Sequence, residues 1–206
     1  MATATIIDGK HLAAKLRAVV ATYVAKLKKE YSLVPGLAVL LVGEDPASQI
    51  YVRNKGWQAL EVGMNSFQHA LPETVSLDEL LRCINDLNND NSVNGILVQL
   101  PLPKQIDTKI VIEMIAVSKD IDGFHPLNAG SLVLGGIGII PCTPMGCMML
   151  LKNYLGKLAS MHAVILGRSN IVGKPMATML LRENCTVTIA HSYTREIAEE
   201  CRRADI

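Results

Sequence analysis

Tyr51 and Lys55 stand four residues apart in the string Tyr51-Val52-Arg53-Asn54-Lys55. On a helix that spacing places both side chains on one face, with Ser48 one turn before them. An aromatic ring beside an amine, at the mouth of a sheet, could stack a flat ligand and deliver a proton. An ordinary lysine titrates at about 10.4, so it serves as a base only when desolvated or set beside a cation. On spacing alone, a solvated helix face with a snorkelling lysine is the commoner arrangement.

Three further strings could carry chemistry. Val98-Gln99-Leu100-Pro101-Leu102-Pro103 ends an apolar run in two prolines. Gln99 falls at the carboxyl end of that strand, with an amide that both donates and accepts; taken alone, the string reads first as a plain strand-terminating turn. Lys119-Asp120-Ile121-Asp122-Gly123-Phe124 contains D-x-D-G, but the later ligands and closing Glu of a calcium loop are missing. Its carboxylates fit a cap or Asx-turn, or an acceptor for a ring bearing N–H and amino groups.

The last string is Gly167-Arg168-Ser169-Asn170-Ile171-Val172-Gly173-Lys174-Pro175. It follows a strand and precedes a helix, where backbone N–H groups can meet a phosphate. It departs from G-x-G-x-x-G, because Ser169 takes the second glycine position and Gly173 comes one residue late. Arg168 offers a fork that matches a phosphate bidentately. The next strand ends at His191-Ser192, with no Asp or Glu to favour an unphosphorylated ribose. Together these point to NADP, with Gly167, Arg168, Ser169, Gly173 and Ser192 as its contacts.

Composition narrows the partners. Twenty Lys and Arg against 19 Asp and Glu give a net charge of +1, which leaves no footprint for nucleic acid or an anionic membrane. The five cysteines, Cys83, Cys142, Cys147, Cys185 and Cys201, form no C-x-x-C pair. Free thiols in a reducing cytoplasm are expected, with neither disulfide nor metal site. The N-terminus shows no signal peptide. Gly123 to Leu151 lacks Lys, Arg, Asp and Glu, but prolines and glycines break it too often for a membrane span of about 20 residues. It reads as buried loop, short strand and the start of a helix.

The elements that must position these residues alternate. A helix capped by Asp8 carries Leu12, Leu16, Val19, Val20, Tyr23, Val24 and Leu27. Strands are expected at Gly36 to Val42, Phe67 to Leu71 and Gly95 to Val98. Between them lie a helix opening at Glu44-Asp45-Pro46, with Ile50, Trp57 and Leu60 as its buried stripe, and another over Leu77 to Leu87. Then follow a linking helix at Met145 to Leu155, a strand at Ala163 to Leu166, a helix at Ile171 to Leu181, a strand at Thr186 to Ala190 and a helix at Thr194 to Arg202. The fold class is α/β: an N-terminal three-layer domain with a parallel sheet over residues 1–142, then a Rossmann-like domain over 143–206. The chain stops at Ala204-Asp205-Ile206, where a third strand of that domain should begin. The second domain is therefore expected to be truncated, since a two-stranded sheet is marginal alone.

Taken in order, the strings resemble one family: the bifunctional methylenetetrahydrofolate dehydrogenase and methenyltetrahydrofolate cyclohydrolase. The matching residues are Gly43-Glu44-Asp45-Pro46-Ala47-Ser48 through Lys55, Gly95 through Pro103, Lys119 through Phe124, Pro141-Cys142-Thr143-Pro144, and Gly167 through Pro175. The resemblance implies a folate-binding catalytic domain, NADP as cofactor, one-carbon metabolism and a homodimer paired through the nucleotide domain. It implies Lys55 as the central catalytic residue, Gln99 holding and tuning it, Asp122 on the pterin, and Tyr51 stacked on the aminobenzoate. Val98, Leu100 and Pro101 would shape the wall. A relative with one activity, an NAD-using relative and an impaired folate-binding fragment are the alternatives.

Overall fold

The computed structural model describes residues 4–206. Contacts divide the chain into two compact units, Lys10–Ile121 and Asp122–Ile206, the second joined by the described residues ahead of Lys10.

The first unit contains α1 (Gly9–Tyr31), β1 (Gly36–Val42), α2 (Pro46–Glu61), β2 (Asn65–Leu71), α3 (Leu77–Asn89), β3 (Gly95–Val98) and α4 (Thr108–Met114). Its sheet is parallel, ordered β2-β1-β3. Apolar residues fill the central strand, as a sheet covered on both faces requires. Side chains alternate between the faces. Ala38, Leu40, Val42, Ile96 and Val98 pack with Leu80, Ile84 and Leu87 of α3, whereas Val39, Leu41 and Leu97 pack with Val52 of α2. The register pairs Val42 with Leu71 and Leu40 with Val98, so the three strands end at one edge of the sheet. Asp120 pairs with Ile96 on the outer side of β3.

Helix starts follow the local chemistry. The Asp45 carboxylate accepts from the Ser48 N–H at 2.8 Å, and Pro46 occupies the first turn of α2. Ser76 caps α3 through the Glu79 N–H at 3.2 Å. The expected stripe of α2 is wrong: Ile50, Trp57 and Leu60 are 50%, 62% and 59% exposed. The buried face is Ser48, Val52, Gly56 and Ala59. Small residues let the helix lie close on the sheet; a Cβ on Gly56 would fall 2.2 Å from Gln68 Nε2.

The second unit holds α5 (Pro126–Leu134), α6 (Cys142–Leu155), β4 (His162–Leu166), α7 (Gly173–Arg182), β5 (Thr186–Ala190) and α8 (Ile197–Arg202). Strands β4 and β5 are parallel, His162 opposite Thr186. Leu132, Met148, Leu158, Ala163, Met176, Met179, Leu180 and Cys185 form its core. Between Gly123 and Leu151 the expected short strand does not form among the described residues; α5 takes its place. Its signals are Pro126 at the first position, the His125 ring accepting from the Leu127 N–H at 3.1 Å, and Gly135 at φ +74° ending it. Because α5 packs on α7, residues from Asp122 onward cluster with the second unit, ahead of the division at 142.

On the other edge of β4 the last residues run alongside. Ile206 N–H donates to the His162 carbonyl at 3.2 Å, and Val164 N–H donates to the Ile206 carbonyl at 2.9 Å, the pattern of a parallel neighbour. The Asp205 carboxylate also accepts from the His162 N–H at 2.8 Å. The last residues therefore lie beside β4, on the edge away from β5. No helix among the described residues is long and apolar enough to cross a membrane.

Candidate active site

Lys55 and Gln99 meet at the carboxyl edge of the first sheet. Lys55 extends from α2, and its Nζ donates to Gln99 Oε1 at 3.2 Å. Gln99 is anchored on both sides: its backbone N–H donates to the Leu40 carbonyl at 2.9 Å, and its Nε2 donates to the Leu100 carbonyl at 2.8 Å. The Leu100 carbonyl can only accept, so it fixes which end of the amide faces Lys55. A half-buried lysine side chain aimed by a fixed acceptor at a strand end can hold or pass a proton.

The other residues on this edge follow from the elements. Tyr51, one turn before Lys55, is 62% exposed and presents its ring to solvent. Ser48 does not share that face; it is buried at 5% exposure under the helix. Val98 is buried in β3, Leu100 is half-buried, Pro101 is exposed, and the Leu100-Pro101 peptide is cis. Asp122 belongs to the second unit and is half-buried. The residue after it fixes the local path: Gly123 lies at φ +66°, and a Cβ there would fall 2.6 Å from the Ile139 carbonyl oxygen. The structure thus brings Lys55, Gln99 and Tyr51 into one unit, and Asp122 into the other.

In the second unit, β4 is followed by Gly167, whose φ of +127° is open only to glycine. The chain then turns sharply into α7. A Cβ on Gly173 would fall 2.2 Å from the Gly167 carbonyl oxygen, so the late glycine serves close packing of strand end on helix start. The Ser169 hydroxyl accepts from the N–H groups of Val172 and Gly173 at 3.1 and 3.2 Å. The helix-start donors expected to meet a phosphate are therefore already taken. Donors for an anion shift to the loop itself: among the described residues, the N–H groups of Ser169, Asn170 and Ile171 have no protein acceptor.

A cleft of about 500 Å³ opens at these strand ends, lined by Leu166, Gly167, Arg168, Ala190, His191, Ser192 and Ile197. The open glycine turn, the free loop donors and the Arg168 side chain fit a dinucleotide with a phosphorylated ribose. Sequence reasoning missed Tyr193 here: the Arg168 guanidinium lies 5.7 Å from its ring centre. Cys142 and Cys147 are exposed on α6, and Cys185 is buried with its thiol toward the Leu158 carbonyl at 3.2 Å.

Comparison with known proteins bears on both units. Residues 7–122 match the model of the tetrahydrofolate dehydrogenase/cyclohydrolase catalytic domain, and residues 141–206 match the NAD(P)-binding domain of the same family. The bifunctional protein FolD of Paramagnetospirillum magneticum is 56% identical over 206 residues, covering all of this chain and 70% of that protein. Among solved structures, the bifunctional FolD enzyme of Campylobacter jejuni superposes with a TM-score of 0.95 at 48% identity, over 98% of this chain and 71% of that one. The Trypanosoma brucei dehydrogenase-cyclohydrolase, complexed with NADP and an inhibitor, gives 0.96 at 36% identity, over 100% of this chain and 71% of that one. The chain belongs to the tetrahydrofolate dehydrogenase/cyclohydrolase family.

Proposed function

We propose that Lys55, held by Gln99, is the proton-handling group of this enzyme. The chain is a methylenetetrahydrofolate dehydrogenase and methenyltetrahydrofolate cyclohydrolase. It oxidises 5,10-methylenetetrahydrofolate to the 5,10-methenyl cation and hydrolyses that cation to 10-formyltetrahydrofolate. NADP, when bound, accepts the hydride. The observation that carries the assignment of Lys55 is its hydrogen bond to Gln99 at the carboxyl edge of a parallel sheet.

Each step asks something different of the protein. Hydride transfer releases no proton from the folate, so it needs positioning rather than a base. In the second reaction water adds to the methenyl carbon and loses a proton, giving a neutral carbinol. The bond from that carbon to N5 then breaks as N5 gains a proton and the carbinol hydroxyl gives up its own to become the formyl C=O, so one proton is released overall. Lys55 is suited to move that proton, because the cationic substrate disfavours a second positive charge beside it. Gln99 accepts from Nζ and keeps it aimed. Tyr51, exposed one turn away, stacks on the aminobenzoate ring. Asp122 accepts from the pterin, and Val98, Leu100 and Pro101 form the wall.

For the cofactor, Gly167, Ser169 and Gly173 shape the turn at the phosphates, and Arg168 with Ser192 faces the 2′-phosphate. Residues 1–142 form the folate-binding part and 143–206 the first part of the NADP-binding part, a functional division supported by the family match that begins at 141. The enzyme works in the cytoplasm as a homodimer paired through the NADP-binding part, engaging neither nucleic acid nor membrane. The test is an absorbance assay with methylenetetrahydrofolate and NADP, run on this chain and on an extended chain. NADPH formation followed by decay of the methenyl absorbance is expected. Neither signal from either chain would overturn the reading.

A further inference from the structure

Arg168 has no carboxylate partner among the described residues. What it touches is an aromatic ring, that of Tyr193, 5.7 Å from guanidinium carbon to ring centre. This ring is 80% exposed, so it contributes little to the core. The backbone that carries it is nonetheless fixed. The Tyr193 N–H donates to His191 Nδ1 at 3.2 Å, and the two rings meet edge-on at 6.1 Å and 72°. The turn beneath closes through Thr194 N–H to the His191 carbonyl at 2.8 Å and His191 N–H to Thr194 Oγ1 at 2.9 Å. His191 and Ser192 line the same cleft as Arg168.

We infer that Tyr193 is a positioning residue for cofactor specificity: its ring holds the Arg168 guanidinium over the cleft so that Arg168 selects a 2′-phosphorylated nucleotide. The inference rests on the reading of Arg168 as the 2′-phosphate contact. The chemistry is consistent. A guanidinium that spends its face on a ring keeps the N–H donors along its edge, and those form the bidentate fork to phosphate. A long, exposed arginine otherwise loses rotamer freedom each time it binds. The ring removes part of that cost before the nucleotide arrives. An exposed cation–π contact shifts an equilibrium about two- to fivefold, whereas a hydrogen bond between charged groups is worth about tenfold or more. The ring should therefore tune what Arg168 supplies.

The test compares NADP and NAD dissociation constants by fluorescence titration, on wild type, Tyr193→Phe, Tyr193→Leu, Arg168→Leu and the double leucine variant. Tyr193→Leu should weaken NADP about two- to fivefold and leave NAD unchanged. Tyr193→Phe should match wild type, because the ring and not the hydroxyl is used. Once Arg168 is Leu, changing Tyr193 should add nothing. Equal weakening of both nucleotides by Tyr193→Leu, or no weakening of either, would overturn the role of Tyr193 while leaving that of Arg168. An unchanged NADP to NAD ratio in Arg168→Leu would overturn the reading of Arg168 and the inference with it.

Discussion

Lys55 Nζ and Gln99 Oε1 are 3.2 Å apart although 44 residues separate them in the chain. Pairing of β1 with β3 closes that gap. It places Gln99 beside Leu40, whose carbonyl accepts the Gln99 N–H, while α2 returns from β1 and carries Lys55 back to the same edge. The pair predicts a division of labour. Lys55→Met keeps the length of the side chain and removes the ammonium. Ring opening of the methenyl substrate should fall by about 10²- to 10⁴-fold, while equilibrium binding of that substrate changes far less. Gln99→Met should lower ring opening by about tenfold or more through loss of the charged hydrogen bond. Decay of methenyl absorbance reads the rate and calorimetry the binding; a Lys55→Met variant that hydrolyses at the wild-type rate removes Lys55 from the mechanism.

Two glycines make a second prediction, because an added methyl would meet a different neighbour at each. At Gly173 it meets the Gly167 carbonyl oxygen at 2.2 Å; at Gly56 it meets Gln68 Nε2 at the same distance. A backbone carbonyl at a strand end cannot move without dislocating β4 from α7. Gln68 is an exposed side chain that can swing away. Gly173→Ala should therefore cost about 1–3 kcal/mol. Gly56→Ala should be near neutral, since alanine's gain of about 1 kcal/mol in helix propensity offsets the local repacking. Denaturant melts of both variants provide the check, and equal losses would refute the distinction.

Much of this architecture was legible because buried strands write their own pattern. Gly36–Val42, Gly95–Val98 and Thr186–Ala190 have the bounds that their apolar runs suggested. The failures share a cause: apolarity alone does not report which face is buried. In α2, Ile50, Trp57 and Leu60 have helical spacing, yet close approach to the sheet selected the small residues Ser48, Val52, Gly56 and Ala59. In α5, an uncharged stretch hid the helix, although Pro126 and Gly135 marked its ends. The types of the candidate site residues were readable from their strings, but only the family resemblance implied that Gln99 holds Lys55; spacing could not, because the bond depends on strand pairing. The role of Ser169 was hidden for a related reason: its hydroxyl turns back to cap α7.

Acid should weaken the start of α2 through Asp45. Its carboxylate accepts first from the Ser48 backbone N–H and then from the Ser48 hydroxyl, which holds its pKa below the ordinary value of 3.8. A folded-state pKa below the unfolded one adds stability above about 3.8 that is lost as pH falls through the folded value. Asp90 contributes in the same window, lowered by the Ser92 hydroxyl and N–H and by Lys119. Asn can still accept at both positions without titrating. The Asp45→Asn/Asp90→Asn variant should show a flatter fall of melting temperature below pH 3.8 than wild type. An identical fall would show that these two carboxylates do not drive it.

The thiols should separate by burial. Cys142, Cys147 and Cys201 are exposed, Cys83 is half-buried and Cys185 is buried. Burial raises the thiol pKa of Cys83 and Cys185, and the nearby carboxylates of Asp86 and Glu183 raise each further. Thiolate is the reactive form, so both effects slow alkylation, one by limiting access and the other by limiting the anion. Cys185 is also tied to the Leu158 carbonyl in the core of the second unit. Under limiting iodoacetamide at mildly alkaline pH, peptide mass spectrometry should find Cys142, Cys147 and Cys201 modified first. Cys83 should follow, with Cys185 last and its labelling accelerating only when denaturant opens the second unit. Early labelling of Cys185 in native buffer would mean that α7 and β5 part far more readily than their packing around Met179, Leu180 and Ala163 implies.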